Sequence, residues 1–290
     1  MHRLETDAPS PQSKSSTQTV SLDYLSGFID GDGCIRIEKR TRKDRRSPVY
    51  RPVVRCGNVQ REVIEQLARQ FGGAFNTRAD NGRNSKPLYL WTLMQDRDAA
   101  FLHTIAPHLF IKWRQALTCI ELTQRPLVGI GNGTPPEELE IREQLFVRCK
   151  QHNGTPVCPH HGDVSDAYLA GFFDAEGSIA IKAVKATNSY AVVIAASNDC
   201  ACILKKFSER FGGFVTRTRP HKWQAACISA HKALVAMVPY LIVKRERATV
   251  AIKFRPLIPE RPTGHRIPKE TLSLMLVFRE RMLELNKLGA

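Results

Sequence analysis

The chain has 290 residues, 42% of them hydrophobic and 24% charged, enough for one large domain or two smaller ones with usable cores. Forty-three Lys and Arg against 28 Asp and Glu leave a net charge of +15, a surplus that points to a polyanionic partner, most simply nucleic acid. No apolar run reaches membrane-spanning length and no basic stretch shows a clean apolar face, which sets aside a membrane protein.

Residues 1–20 are rich in Ser, Thr, Pro and Gln and read as a disordered tail; they lack the apolar segment of a signal peptide and have too many acids for a transit peptide. At Tyr24 begins YLSGFIDGDGCIRI, a short helix with Asp23 as its expected cap, running into the strand CIRIEKR. A second strand, PVVRCGNV, is followed by REVIEQLARQF, whose apolar residues recur at helical spacing up to Gly72 and Gly73. A hairpin of AFNTRAD with PLYLWTLMQ and a closing helix after HLFIKWRQA complete this part. The Gly/Pro-rich connection that follows carries one helix, from about residue 136 to 150.

The order then begins again. YLAGFFDAEGSIAI starts at Tyr168, with Ser165 or Asp166 as cap, and Glu176 stands 144 residues after Asp32. FGGAFNTR is echoed by FGGFVTRT and HLFIKWRQA by YLIVKRERA, in the same order, so the chain is a tandem duplication of domain-sized units. In the second unit the strands are SIAIKAV, YAVVIAASN, FVTRTRP and WQAACISA, around the helix CACILKKFSERF; a last amphipathic helix spans about 268–288. The expected fold class is α+β, two pseudo-symmetric αββαββα repeats, each with a curved antiparallel sheet. The expected divisions are 1–20 tail, 21–125 first repeat, 126–163 linker, 164–260 second repeat and 261–290 C-terminal helix. The eight Cys are scattered through mostly apolar segments, as free buried thiols are, which favours a reducing intracellular compartment.

LSGFIDGDG and LAGFFDAEG resemble the signature of the LAGLIDADG homing endonucleases, and the two-copy length resembles their single-chain, monomeric form. The resemblance covers roughly residues 21–255. It implies paired signature helices, a site-specific, metal-dependent and commonly intron-encoded DNA endonuclease, and a long target that need not be palindromic. An intron RNA maturase or a catalytically inactive DNA-binding protein on the same fold is the alternative, and intron RNA a second partner. The host is expected to be an organelle (chloroplast or mitochondrion) or a bacterial or archaeal cytoplasm.

The residues of the block support this. Small residues at Ser26-Gly27 and Ala170-Gly171 let two helix backbones approach, and if the helices pair about a two-fold axis, Asp32 and Glu176 converge at its end. Two carboxylates at close range repel, and a hard divalent cation resolves the conflict. The expected metal residues are Asp32 and Glu176, with Gly31 and Ala175 beside them, and the metal Mg²⁺; Mn²⁺ or Ca²⁺ would also occupy the site, Ca²⁺ without supporting cleavage. Asp30 and Asp174 are expected to serve local structure. By resemblance, Lys112 and Lys244 reach the scissile phosphate or its water. Asn58 and Asn198 stand where the family often has a water-orienting Gln, and equally where a helix N-cap belongs.

Strand alternation puts Arg36, Glu38 and Arg40 on one face, with Asn76 and Arg78 on the same face of the next hairpin, as a ribbon suited to the major groove requires. Arg42, Arg45 and Arg46 lie in the connecting loop and suit phosphate contact. Lys182, Lys185, Arg217, Arg219 and Lys222 are their counterparts in composition, with the face uncertain if a bulge intervenes. Cys149, His152, Cys158 and His160 have a spacing that would admit a tetrahedral Zn²⁺, although Pro and Gly beside them suit a plain surface loop.

Overall fold

Two nearly parallel histories of one motif meet along a pair of helices, α1 (Leu22–Asp32) and α6 (Asp166–Glu176). The computed structural model describes residues 20–41, 43, 46–78, 86–94, 96–126, 133–154, 162–184, 189–258 and 267–289. Each helix is capped by a serine: Ser21 Oγ accepts from Tyr24 N–H at 3.2 Å and Ser165 Oγ from Tyr168 N–H at 3.1 Å. Asp23 is therefore not the cap. It sits in the first turn, where its carboxylate accepts from Ser165 Oγ at 2.7 Å and faces His108 Nδ1 at 2.8 Å, joining the starts of the two helices.

The helices are apolar almost all round because both sides are covered. Leu25, Phe28 and Ile29, and Leu169, Phe172 and Phe173, are fully buried. At the crossing Gly27 lies against Tyr168 and Phe172, and Gly171 against Tyr24 and Phe28, backbone on backbone. Two buried hydrogen bonds run across the pair: Tyr24 Oη–H donates to Asp174 Oδ2 at 2.7 Å, and Tyr168 Oη–H to Asp30 Oδ2 at 2.6 Å.

Each signature helix feeds an antiparallel four-stranded sheet. In the first, β1 (Gly33–Arg40), β2 (Val49–Asn58), β3 (Ala74–Arg78) and β4 (Leu88–Met94) lie in the order β1-β2-β4-β3. In the second, β5 (Gly177–Val184), β6 (Ser189–Asn198), β7 (Phe214–Val215) and β8 (His221–Ala226) repeat it as β5-β6-β8-β7. The inner faces pack on α2 (Arg61–Phe71) and α7 (Ala201–Phe211) through Val63, Ile64 and Leu67, and through Ile203, Leu204 and Phe207. Trp91 and Trp223 are buried at matching places, and their indole N–H groups donate to the carbonyls of Gly72 at 2.7 Å and Gly212 at 2.9 Å. Those glycines end the helices with φ of 70° and 83°, a conformation that excludes most other residues.

The expected α+β class and repeated order hold, with two differences. Each repeat closes with two helices rather than one: α3 (Asp96–Ile105) and α4 (Trp113–Thr123) in the first, α8 (Cys227–Met237) and α9 (Arg245–Phe254) in the second. And the strand expected over WQAACISA stops at Ala226. Cys227 turns the chain with a φ of 51°, and CISA opens α8, whose Ala230, Ala233, Leu234 and Met237 follow helical spacing into the core. The connecting helix α5 (Pro136–Gly154) is longer than expected and packs on α4 and β1; α10 (Lys269–Gly289) packs on α9 and β5.

Cys56, Cys149 and Cys200 are buried thiols outside any disulfide and Cys119 is buried beside Cys149, but Cys227 is exposed and Cys202 in α7 is disulfide-bonded, so the expectation of mostly buried, free thiols holds only in part. Among the described residues, no helix is long and apolar enough to cross a membrane.

Candidate active site and nucleic-acid interface

Asp32 and Glu176 are the last residues of α1 and α6, each followed by a glycine cap whose N–H bonds back into its helix. A Cβ on Gly31 would meet the Cβ of Ala175, so the two carboxylates emerge from helix ends already in contact. Each is held by an asparagine from the neighbouring strand. Asn58 Nδ2 donates to Asp32 Oδ2 at 3.0 Å, and Asn198 Nδ2 to Glu176 Oε1 at 3.1 Å. The other end of each amide accepts a backbone N–H, of Gln60 at 2.8 Å and of Cys200 at 2.9 Å, at the start of α2 and α7. The N-caps themselves are Gln60 and Cys200, so each asparagine does not cap its helix but ties the cap residue's N–H to the acid.

Asp30 and Asp174, two residues earlier on each helix, bind loop backbone instead. Asp30 accepts the N–H groups of Phe110, Ile111 and Lys112 at 2.7–2.9 Å, and Asp174 those of Ile242, Val243 and Lys244 at 2.7–3.0 Å. These bonds fix the loops that deliver Lys112 and Lys244. Lys112 Nζ then donates to the carbonyls of Ile29, Asp30 and Gly31 at 2.6–3.2 Å, and Lys244 Nζ to that of Asp174. Each lysine therefore caps the negative end of its own signature helix. Burial holds both ammonium groups below the ordinary lysine value, Lys244 at about 8, with the Asp30 and Asp174 charges opposing the shift.

Burial likewise pushes the Asp32 and Glu176 carboxyls above the ordinary carboxylate range; the asparagine bonds oppose this, and the Asp32 charge raises Glu176 further. The folded chain thus retains protons at a pH where the unfolded chain has released them. Its relative stability is fullest below the unfolded values and is lost as pH rises through the raised ones. Metal-free Asp32→Asn protein should accordingly melt about 2–4 °C above wild type at pH 7. The gap should close as pH is lowered through the carboxylate range, and calorimetry showing a pH-independent gap would contradict this origin.

Beside the pair opens a cleft of about 460 Å³ bordered by Lys112, Gln115, Glu176, Asn198 and Arg219. His152 and Asn153 reach it from the end of α5, where Gln115 Nε2 bonds the His152 carbonyl at 3.2 Å. Sequence spacing marks His152 only as a possible zinc ligand, and comparison of the repeats does not bring either residue to the cleft, because α5 belongs to no repeat. Of the four residues considered for zinc, Cys149 is buried in the core beside Cys119, while Cys158 and His160 lie outside the described residues. Among the described residues, no three His, Cys, Asp or Glu side chains cluster as metal ligands.

On the first sheet Ile35 and Ile37 face the core, and Arg36, Glu38 and Arg40 the opposite face, as alternation requires. Glu38 ties the two arginines together, accepting from Arg36 at 2.7 Å and Arg40 at 2.8 Å. Asn76 and Arg78 share this outer face, and Arg46 lies exposed in the loop. Arg51 and Arg55 belong to it too, paired with Glu38 and Cys34 across the ladder. They are absent from the expected set, although their four-residue spacing within a strand already places them together. In the second sheet the register is unbroken from Gly177 to Val184, so Lys182 faces outward with Lys222. Arg217 and Arg219 lie beyond β7, in the bend that leads to β8. Arg42, Arg45 and Lys185 lie outside the described residues.

No family model matches the chain, and no curated protein does. Solved structures do. I-GzeII, a LAGLIDADG homing endonuclease in complex with its DNA target, matches with a TM-score of 0.61 at 14% identity over 91% of this chain and 98% of that one. The LAGLIDADG homing endonuclease I-SmaMI bound to cleaved DNA matches at 0.60 and 14%, over 91% and 97%. The LAGLIDADG meganuclease I-AabMI bound to uncleaved DNA matches at 0.59 and 14%, over 91% and 99%. The chain has the fold of these proteins, the two-repeat LAGLIDADG fold.

Proposed function

We propose that the chain is a LAGLIDADG homing endonuclease, a site-specific nuclease that hydrolyses both strands of a long, non-palindromic DNA duplex with a divalent metal. One observation carries this: an acid ends each of two crossed helices, each acid is held by an asparagine, and each helix end is capped by a buried lysine. A purely structural duplication has no use for two carboxylates whose burial is unfavourable at neutral pH. A DNA-binding protein without nuclease activity has none either, and the cationic outer face of the first sheet suits a duplex.

The donor set fits a hard cation: carboxylate oxygens from Asp32 and Glu176 would hold it, with the carbonyls of Gly31 and Ala175 beside them, and since no third acid joins them among the described residues, water and phosphate oxygen would supply the remaining ligands. Mg²⁺ is the proposed ion, and a solved neighbour, I-SmaMI, is bound to DNA in the presence of calcium ions. A bound divalent cation supplies charge stabilisation at the phosphate and a more acidic water. Asn58 and Asn198 orient the two carboxylates. Lys112 and Lys244 hold positive charge behind them, at the carbonyl ends of the two signature helices. Arg36, Arg40, Asn76, Arg78, Lys182, Arg217, Arg219 and Lys222 are the proposed DNA-contacting residues.

The test is cleavage of a plasmid library carrying a randomised insert of roughly 21 bp, two helical turns. Linearised members sharing one sequence should appear with Mg²⁺ and vanish with EDTA. A library left intact with Mg²⁺, under conditions where the protein is folded, would refute the proposal.

A further inference from the structure

The two sheets share one pairing pattern, so their outer faces can be compared position by position. Gly33 pairs with Cys56 and Cys56 with Trp91; Gly177 pairs with Ala196 and Ala196 with Trp223. On that register Arg36 of β1 corresponds to Ala180 of β5, and Arg40 to Val184. On β2, Arg51 and Arg55 correspond to Ala191 and Ala195 of β6. Four outward arginines in the first repeat thus face their equivalents as three alanines and a valine. Glu38, which braces Arg36 and Arg40, is matched by Lys182, which has no such pair to brace.

The contrast extends to the whole first hairpin. Residues 33–58 carry nine Lys and Arg, whereas residues 177–198 carry two. On this face the second repeat keeps Lys182, Lys222 and Gln224 but no arginine, and its arginines Arg217 and Arg219 lie in the bend before β8. Its outer face also exposes Phe214 at 56%.

We propose that this nuclease reads its target unequally: the half-site under the first repeat is specified by arginine contacts to guanine, while the half-site under the second is held mainly by phosphate contact and tolerates base changes. The inference rests on the nuclease reading above. An arginine fork meets guanine O6 and N7 with two donors and discriminates against the other bases, and Arg36 and Arg40 are pre-oriented by Glu38. Alanine and valine offer base edges no donor or acceptor. Their methyl groups meet at most the thymine methyl, a weak preference. Arg217 and Arg219 on the bend suit phosphates, which position the duplex without reading it, and Lys182 and Lys222 present a single point charge each rather than a fork.

The experiment is a specificity profile of the full chain from the randomised library, followed by the same profile for Arg55→Ala and Ala195→Arg. In one half-site each wrong base should lower cleavage about 10–100-fold; in the other, less than about threefold. Arg55→Ala should erase a guanine preference within the selective half. Ala195→Arg should create a preference in the tolerant half. Equal selectivity in both halves, or an Arg55→Ala effect in the tolerant half, overturns the inference and leaves the nuclease reading intact. A library in which no sequence is enriched defeats the nuclease reading, and the inference with it.

Discussion

Glu176→Gln protein should bind its DNA site with affinity close to wild type while cleaving it at least about 10²–10³-fold more slowly. The substitution keeps the side chain's length and its contact with Asn198 Nδ2, since the amide oxygen accepts where Glu176 Oε1 does at 3.1 Å. What it removes is a negative charge at the end of α6, and with it a ligand for the proposed cation. Asp32→Asn should behave alike. Gel-shift titration and cleavage of the same duplex, run side by side, separate the two effects. Undiminished cleavage by Glu176→Gln would remove that residue from the chemistry, and a parallel loss of binding would mean that the charge serves docking instead. If each acid serves one strand, either variant should pass through a nicked product, which supercoiled plasmid reveals directly.

Gly27→Ala should destabilise the protein by about 3 kcal/mol or more, the upper range for overpacking a core. The added Cβ would fall on the carbonyl oxygen of Tyr168 and 2.8 Å from the backbone nitrogen of Phe172. Side chains move aside by changing rotamer, but here both obstacles are main chain, so the helices themselves must separate. Separation would lengthen the Tyr24–Asp174 and Tyr168–Asp30 bonds and draw Asp32 away from Glu176. Denaturant titration gives the loss. A change below about 1 kcal/mol would be incompatible with so close a crossing. The equivalent Gly171→Ala should give the same result, because its Cβ meets the Tyr24 carbonyl.

Much of this architecture is written in local pattern. A repeated block exposes the paired helices, and alternation in CIRIEKR sorts Arg36 and Glu38 from Ile35 and Ile37. What escapes local pattern has a common cause in contacts made across long stretches of chain. The bond from Tyr24 to Asp174 spans 150 residues, and nothing near Tyr24 marks its partner. His152 enters the cleft from outside either repeat, so comparison of the repeats passes over it. Competition between near-equal local choices explains the rest. Ser21 and Asp23 both suit a helix start, and the backbone chose the residue whose oxygen reaches Tyr24 N–H. In WQAACISA a period-two pattern continues past Ala226, yet Cys227 reverses the chain and the small residues that follow pack as a helix. Asn58 suits a cap by its place in the sequence, yet Gln60 is the N-cap, and the Asn58 amide joins that residue's N–H to Asp32, a contact that only the fold supplies.

The crossed tyrosine–aspartate bonds have a consequence for assembly. Donor and acceptor sit on the same helix in both repeats, Tyr24 with Asp30 and Tyr168 with Asp174, so each signature helix carries a self-complementary, isologous surface. Any two such helices satisfy one another, whether or not they belong to the same molecule. What makes the pairing intramolecular is the α5 connection, which supplies each repeat with its partner at an effective concentration on the order of millimolar. Cutting that connection would not destroy the interface; it would release it to mass action, and repeats of different chains would exchange.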